Sequence, residues 1–266
     1  MPKSSAKEYY ENMLALHGED HYETLFAYCK MLAEDVRGEG FEEKVFDIED
    51  KIAHLRQSTD PAAYGVMIYY ASLLECVLDH PAIGEYEETY KWVKSLADAG
   101  EKLMASIQCE LLDAYDELEF YDEAEEIGEE LCNRLKSDEK TERQKYIFWS
   151  IVRAKASFRN EKYEKAFLIL DEIYRDEKET LRAEKRMYAD LCYNMAACCL
   201  YLKNFERAEE LSEKAAELYA DSDLKSSRLA DFAKSLNAKI KKLKTYGNEA
   251  KIGGFLILNY SSIWLC

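Results

Sequence analysis

Apolar residues along this chain recur at helical spacing, and almost nowhere with the strict alternation of a strand. Stretches at roughly 20–36, 62–79, 103–118, 143–159, 184–202 and 223–244 carry the pattern. In the fourth, Ile147, Ile151 and Ala154 fall at i, i+4 and i+7, which is one face of a helix. In the last, Leu229, Phe232, Leu236, Ile240 and Leu243 form one stripe, predicting a helix that buries a single side.

A second pattern follows these stretches. It reads EYEETYKWVKSLA from Glu85, FYDEAEEIGEEL from Phe120, KYEKAFLILDEI from Lys162 and NFERAEELSEKAAEL from Asn204. Each has an aromatic residue, two charged residues, then a small one: Thr89, Ala124, Ala166 and Ala208. Each then continues as an amphipathic helix. FEEKVFDIEDKIAHL from Phe41 is a weaker instance. The aromatics Tyr86, Tyr121, Tyr163 and Phe205 are spaced by 35, 42 and 42 residues. Two helices of about 14 residues with their turns fill roughly 34 residues. Each period therefore holds a helix pair, and the longer steps leave room for extended helices or loops at SDEKTERQ and RDEKETLRAEKR.

The segment YADLCYNMAACCLYLKNFERAEELSEKAAEL, from Tyr188, resembles a tetratricopeptide repeat. That family sets a large apolar residue beside a small one in its first helix, here Met195 and Ala196. It sets small residues at two crossing points of the second, here Ala208 and Ala215. Close packing is the reason, since two helices approach only where side chains are short. The segment from Ala105 to Leu131 matches next best. The one around Tyr163 keeps Ala154 and Ala166 but places Arg153 where the family has a large apolar side chain. Around Tyr86, Thr89 replaces the usual Ala, and His80-Pro81 interrupts the first helix. The resemblance implies an all-α, right-handed α-solenoid of about five to six antiparallel helix pairs. It would occupy 20–244, after an N-terminal segment 1–19 and before an apolar tail 245–266.

In such a superhelix the stacked first helices line a concave groove that takes extended peptides or partner helices. Projected onto this chain, the groove holds Cys109, Glu110, Asp113 and Glu117, then Ile151, Lys155 and Arg159, then Tyr193, Asn194, Ala197 and Tyr201. In peptide-binding relatives an amide at the Asn194 position often holds ligand backbone; a solvated Asn is the equal alternative. Lys155 and Arg159, four apart, read first as a surface charge pair and second as a carboxylate or phosphate clamp.

Charge narrows the partners. The net charge is −17 and the pI about 4.8. Nucleic acid is bound by neutralising phosphates with Lys and Arg, so this balance argues against it, as it does against anionic lipid. A basic peptide or basic protein surface is the better match. Residues 101–134 hold twelve acids against Lys102 and Arg134; those after Asp122 read as a solvated convex face. The closing helix reverses the sign, through Lys234, Lys239, Lys241, Lys242 and Lys244. It reads as solvated, with docking on acidic surface as the alternative.

Catalytic and cofactor motifs are missing. There is no Gly-rich phosphate loop and no Cys-x-x-Cys. His17 and His21 have metal-like spacing, but HGEDH reads as a turn, so no metal is expected. The eight cysteines sit mainly in apolar helical patterns and read as reduced core thiols of a cytoplasmic protein. MPKSSAKEYYENM has no long apolar run, so no leader is expected. The tail GGFLILNYSSIWLC is too short to span a bilayer as a helix. It reads first as a cap, otherwise as a partner- or membrane-touching tail or a reading-frame artefact. The resulting expectation is a cofactor-free, non-catalytic scaffold or adaptor for a protein or peptide. The alternative is a peptide-responsive sensor acting through a partner protein.

Overall fold

The computed structural model describes residues 5–96, 98–137, 143–221 and 227–246. Among them, every regular element is helical. The chain divides into two compact units, one ending at Glu119 and the next beginning at Phe120. The apolar tail lies outside the described residues.

The first unit contains α1 (Ala6–His17), α2 (Tyr22–Ala33), α3 (Phe41–Phe46), α4 (Glu49–Leu55), a 3-10 turn (Pro61–Ala63), α5 (Tyr64–Leu78), α6 (Ile83–Ser95) and α7 (Asp98–Glu117). The leading segment is thus itself a helix. Ser5 starts it by accepting the Glu8 N–H at 3.2 Å, the first half of a capping box. α1 lies on α2, joined through Thr24 Oγ1, which donates to the Met13 carbonyl at 3.1 Å, and the Tyr10–Tyr28 ring contact. No α1 residue is buried.

The Phe41 segment forms two short helices. The Ile48 N–H bonds the Val45 carbonyl, a 3-10 bond that tightens the chain at Asp47–Ile48. One apolar face continues through the break: Phe41, Val45, Ile48, Ile52 and Leu55 are all buried. The window Pro61–Leu78 is long and apolar enough to cross a membrane. Here it packs against α2 and α6, burying Val66, Met67, Tyr70, Leu73 and Leu74. His80-Pro81 falls in the turn after α5, and Thr89 is fully buried at the small-residue position of α6.

The second unit contains α8 (Tyr121–Ser137), α9 (Arg143–Arg159), α10 (Tyr163–Asp176), α11 (Lys178–Ala183), α12 (Lys185–Tyr201), α13 (Phe205–Ala220) and α14 (Ser227–Tyr246). α8 packs on α9, α9 pairs with α10, α12 pairs with α13, and α14 closes against α13. The small residues sit at the crossings: Ala154, Ala166, Ala196, Ala208 and Ala215 are 0–1% exposed. Arg153 is mostly enclosed at the edge of this core, with its Nε buried. Its guanidinium reaches sideways to Glu129 at 2.8 Å.

One backbone feature recurs in both units. Asp79, Glu119, Glu161 and Lys203 adopt left-handed φ of 58–63°, spaced by 40, 42 and 42 residues. Each follows a first helix and turns the chain toward a second. After α9 and α12, the Lys162 and Asn204 N–H groups reach back five residues to the Ser157 and Cys199 carbonyls, at 2.9 and 2.8 Å. This is the Schellman closure, which usually takes Gly at the left-handed position. Asn204 then caps α13 by accepting the Arg207 N–H at 3.2 Å.

One open alternative is decided and one predicted detail differs. RDEKETLRAEKR contains α11, because Leu181 is fully buried and Arg143 pairs with the buried Glu177. In α14 the packed face runs through Ala230, Ala233, Leu236, Ile240 and Leu243, whereas Phe232 falls on the flank and is 39% exposed. The basic residues of α14 partly dock on their own chain: Lys241 lies 2.8 Å from Glu213, and Lys244 2.9 Å from Glu209.

Candidate functional site

The groove residues projected from the sequence divide between the two units. Glu110, Asp113 and Glu117 lie on α7. Asp113 and Glu117 are exposed, while Glu110 and Cys109 are half-buried. Burial pushes the Glu110 carboxyl up to about 7, helped by the charges of Asp113 and of Glu75 on α5. No cation among the described residues pairs with Glu110. Glu75 is itself engaged, accepting from Tyr86 Oη at 2.9 Å and from the Ala82 N–H at 3.4 Å. Glu75 on α5 and Glu110, Asp113 and Glu117 on α7 therefore make an acidic strip whose deepest member holds its proton more readily than an ordinary carboxylate.

The acids beyond Asp122 are different. Asp122 and the buried Glu125 of α8 receive Lys162, at 2.8 and 3.1 Å. Asn160 donates to both, at 2.9 and 3.2 Å. Lys165 adds a further bond to Glu125. Burial alone would raise the Glu125 carboxyl, but Lys165, Lys162 and Asn160 outweigh it and hold it below its usual value. These acids tie α8 to the α10 end of the next hairpin.

In the second unit, Lys155, Tyr193 and Asn194 are buried, as are Ile151 and Ala197, and Arg159 and Tyr201 are half-buried. Every residue of α12 from Ala189 to Leu200 is buried, because the helix is packed by α9, α10, α13 and α14 together. Tyr201 stacks on Tyr163 at 4.6 Å, with Phe158 edge-on to both at 5.0 Å. It pins α9, α10 and α12 at their turn end.

Asn194 is not a solvated amide. Its Nδ2 donates to the Asp190 carbonyl at 2.9 Å, and its Oδ1 is buried without a partner. An unfilled buried acceptor is costly. One turn earlier, the Asp190 carboxylate accepts from Tyr219 Oη and from Arg186 Nε at 3.3 Å. Desolvation still wins over both partners and pushes Asp190 up to about 7.

Sequence reading missed a cluster around Lys214 of α13. Its ammonium donates to Tyr174 Oη of α10 at 3.0 Å and to Tyr188 Oη of α12, and lies 5.1 and 4.4 Å from their ring centres. Burial would raise the Tyr174 phenol, but Lys214 and Tyr188 bring it below its usual value. Three helices contribute, so no single-helix spacing announces the cluster. The turn HGEDH also does more than connect: His17, His21 and Glu23 converge there.

The described cysteines are all free, and burial pushes Cys29 and Cys192 up to about 12 and Cys199 to about 11. Thiols held so far above neutral pH supply little thiolate nucleophile.

No protein-family model matches the chain, and no curated protein does. Among solved structures, it is similar to TPR-like repeats crystallised from Podosopora anserina and described as nearly identical repeats of a kinesin light chain. The TM-score is 0.56, with 18% identity over 77% of this chain and 99% of that one. A variant form of those repeats matches with a TM-score of 0.55, at 18% identity, over 75% and 96%. Paired helices crossing at small residues, turned by recurrent left-handed residues, and this likeness give the fold: an all-α solenoid of TPR-like repeats.

Proposed function

We propose that the chain is a non-catalytic interaction module that receives an extended, basic segment of a partner protein on the first-helix face of its repeats. The observation that carries this reading is the strip containing Glu110, Asp113 and Glu117. Its innermost carboxylate is desolvated and lacks a counter-charge among the described residues. An incoming Lys or Arg would restore the charged form and gain a partly buried ion pair, which is worth more than an exposed one. In the second unit taken by itself, Arg159 and Tyr201 are the partly exposed members of the projected set, while Lys155, Tyr193 and Asn194 are buried and would reach a ligand only after rearrangement. Free, mostly buried cysteines suit a reducing, cytoplasmic setting.

The burial of Tyr193 and Asn194 favours one second reading, a peptide-responsive sensor. A ligand bonding the empty Asn194 Oδ1 would have to displace packing on α12. Binding would then select a different arrangement of the hairpins.

Arrays of Lys/Arg-rich, neutral and Glu/Asp-rich peptides test the proposal, read by fluorescence anisotropy. Basic peptides should bind selectively, with affinity falling at high salt. Glu110→Gln with Glu117→Gln should weaken them about tenfold or more. Equal binding of basic and acidic peptides, or no change in the double variant, refutes it. The sensor reading predicts instead that Asn194→Ala alters binding together with Trp149 fluorescence.

A further inference from the structure

We propose that His17, His21 and Glu23 form a site for one divalent transition-metal ion of the zinc and cobalt class, at the junction of α1 and α2. His17 is the last residue of α1, His21 is the N-cap of α2, and Glu23 stands in the first turn of α2. Their candidate ligand atoms all lie within 4.8 Å of one another. His17 Nε2 is 2.8 Å from Glu23 Oε2, and the two imidazoles stack with centroids 4.5 Å apart. Two imidazole nitrogens and one carboxylate oxygen are the donor set of an open three-ligand zinc site, with water completing the coordination. The neighbouring acids do not compete: Glu19 and Asp20 are held by Lys51 at 3.1 and 3.2 Å.

Bonds of about 2.0–2.2 Å place tetrahedral ligand atoms about 3.3–3.5 Å apart. The cluster must therefore contract slightly, and the stacked rings must turn so that their lone pairs converge. The junction permits this. Gly18 has a φ of 82° and open space around the position a Cβ would take, and residues 15–20 are exposed. One bond is given up. His21 Nδ1 accepts the Glu23 N–H at 3.3 Å. A metal on Nδ1 displaces that bond, and a metal on Nε2 leaves Nδ1 protonated and unable to accept it. Metal ligation thus replaces the cap of α2. It also fastens α1, which has no buried residue, to the rest of the unit.

Titration of the full chain with cobalt chloride tests the site, because thiolate-bound cobalt shows a sulfur-to-metal charge-transfer band. Cobalt bound at His17, His21 and Glu23 lacks that band, which separates it from the more accessible thiols Cys76 and Cys109. The expected result is one equivalent bound with nitrogen and oxygen ligation, and slower amide exchange in residues 6–17 once cobalt is added. His17→Gln and His21→Asn should each weaken binding by about tenfold or more. Cys76→Ser should leave it unchanged. Asn is itself a strong N-cap, so His21→Asn keeps α2 started. The proposal is overturned by no binding at millimolar cobalt, by unchanged affinity in both histidine variants, or by a charge-transfer band.

Discussion

α12 and α1 each begin a helix pair, yet one is buried from Ala189 to Leu200 and the other has no buried residue. The difference lies in their neighbours. α12 has helices packed on either side, from α9 and α10 to α13 and α14, while α1 rests on α2. In a repeat array each pair completes its apolar face only against the next, so stability follows position in the stack more than the helix's own sequence. The same contrast applies to polar groups. Asp190 and Asn194 are enclosed by stacking, whereas His17 and Glu23 stay accessible at the junction after α1.

The largest test of this contrast is core truncation. Leu191→Ala, at a fully buried position of α12, should cost about 2–5 kcal/mol of unfolding free energy. Leu16→Ala, 70% exposed on α1, should cost less than about 0.5 kcal/mol. Denaturant unfolding measures both, and similar losses would break the contrast.

Asp190 gives the next effect, through pH. Its carboxyl titrates near 3.8 when unfolded and is raised to about 7 in the fold. Between those values the native state keeps a proton that the unfolded chain has released. This contribution is therefore fully present below about pH 4 and is lost as pH rises to about 7. Glu125 is held low and works in the opposite direction, so the comparison must be between wild type and Asp190→Asn. The stability difference between them should change by roughly 1–4 kcal/mol across that window, with the variant gaining relative to wild type as pH rises.

Lys214→Met should cost about 1 kcal/mol, since it removes a half-buried cation from two aromatic faces and two phenol oxygens. Spectrophotometric titration should also show the Tyr174 phenol moving upward, because burial would then be opposed by the Tyr188 hydrogen bond without Lys214. Smallest is the backbone effect at the hairpin turns. Lys203→Gly relieves a left-handed φ of 60° and should stabilise by about 0.5–1 kcal/mol, after the entropy Gly adds to the unfolded chain. Destabilisation there would mean that the Lys203 side chain contributes packing.

The hairpins were legible in the sequence because close helix crossing restricts side-chain size. Ala124, Ala166 and Ala208 stand where a larger residue would force the axes apart, and each is fully buried. The turns were legible only as aromatic spacing. The 35-residue step from Tyr86 to Tyr121 hides a 40-residue step between left-handed residues, because Tyr86 lies seven residues after Asp79, inside α6, whereas Tyr121 opens α8 two residues after Glu119. The candidate surface was less legible. Helical projection puts Tyr193, Asn194 and Lys155 on one face, but whether that face is open depends on what stacks beside it. The Lys214 cluster draws on three helices, and the His17–His21–Glu23 cluster forms across a turn, so neither leaves a periodic signal.

Native-state hydrogen exchange resolved by residue tests the central claim most directly, since it reads local opening free energies along the whole chain. If stacking sets stability, amides of 189–200 should exchange only through the largest openings and those of 6–17 orders of magnitude faster, with α9 and α13 close to α12. Protection of α1 equal to that of α12, or early exchange of α12 within an otherwise protected fold, would contradict it.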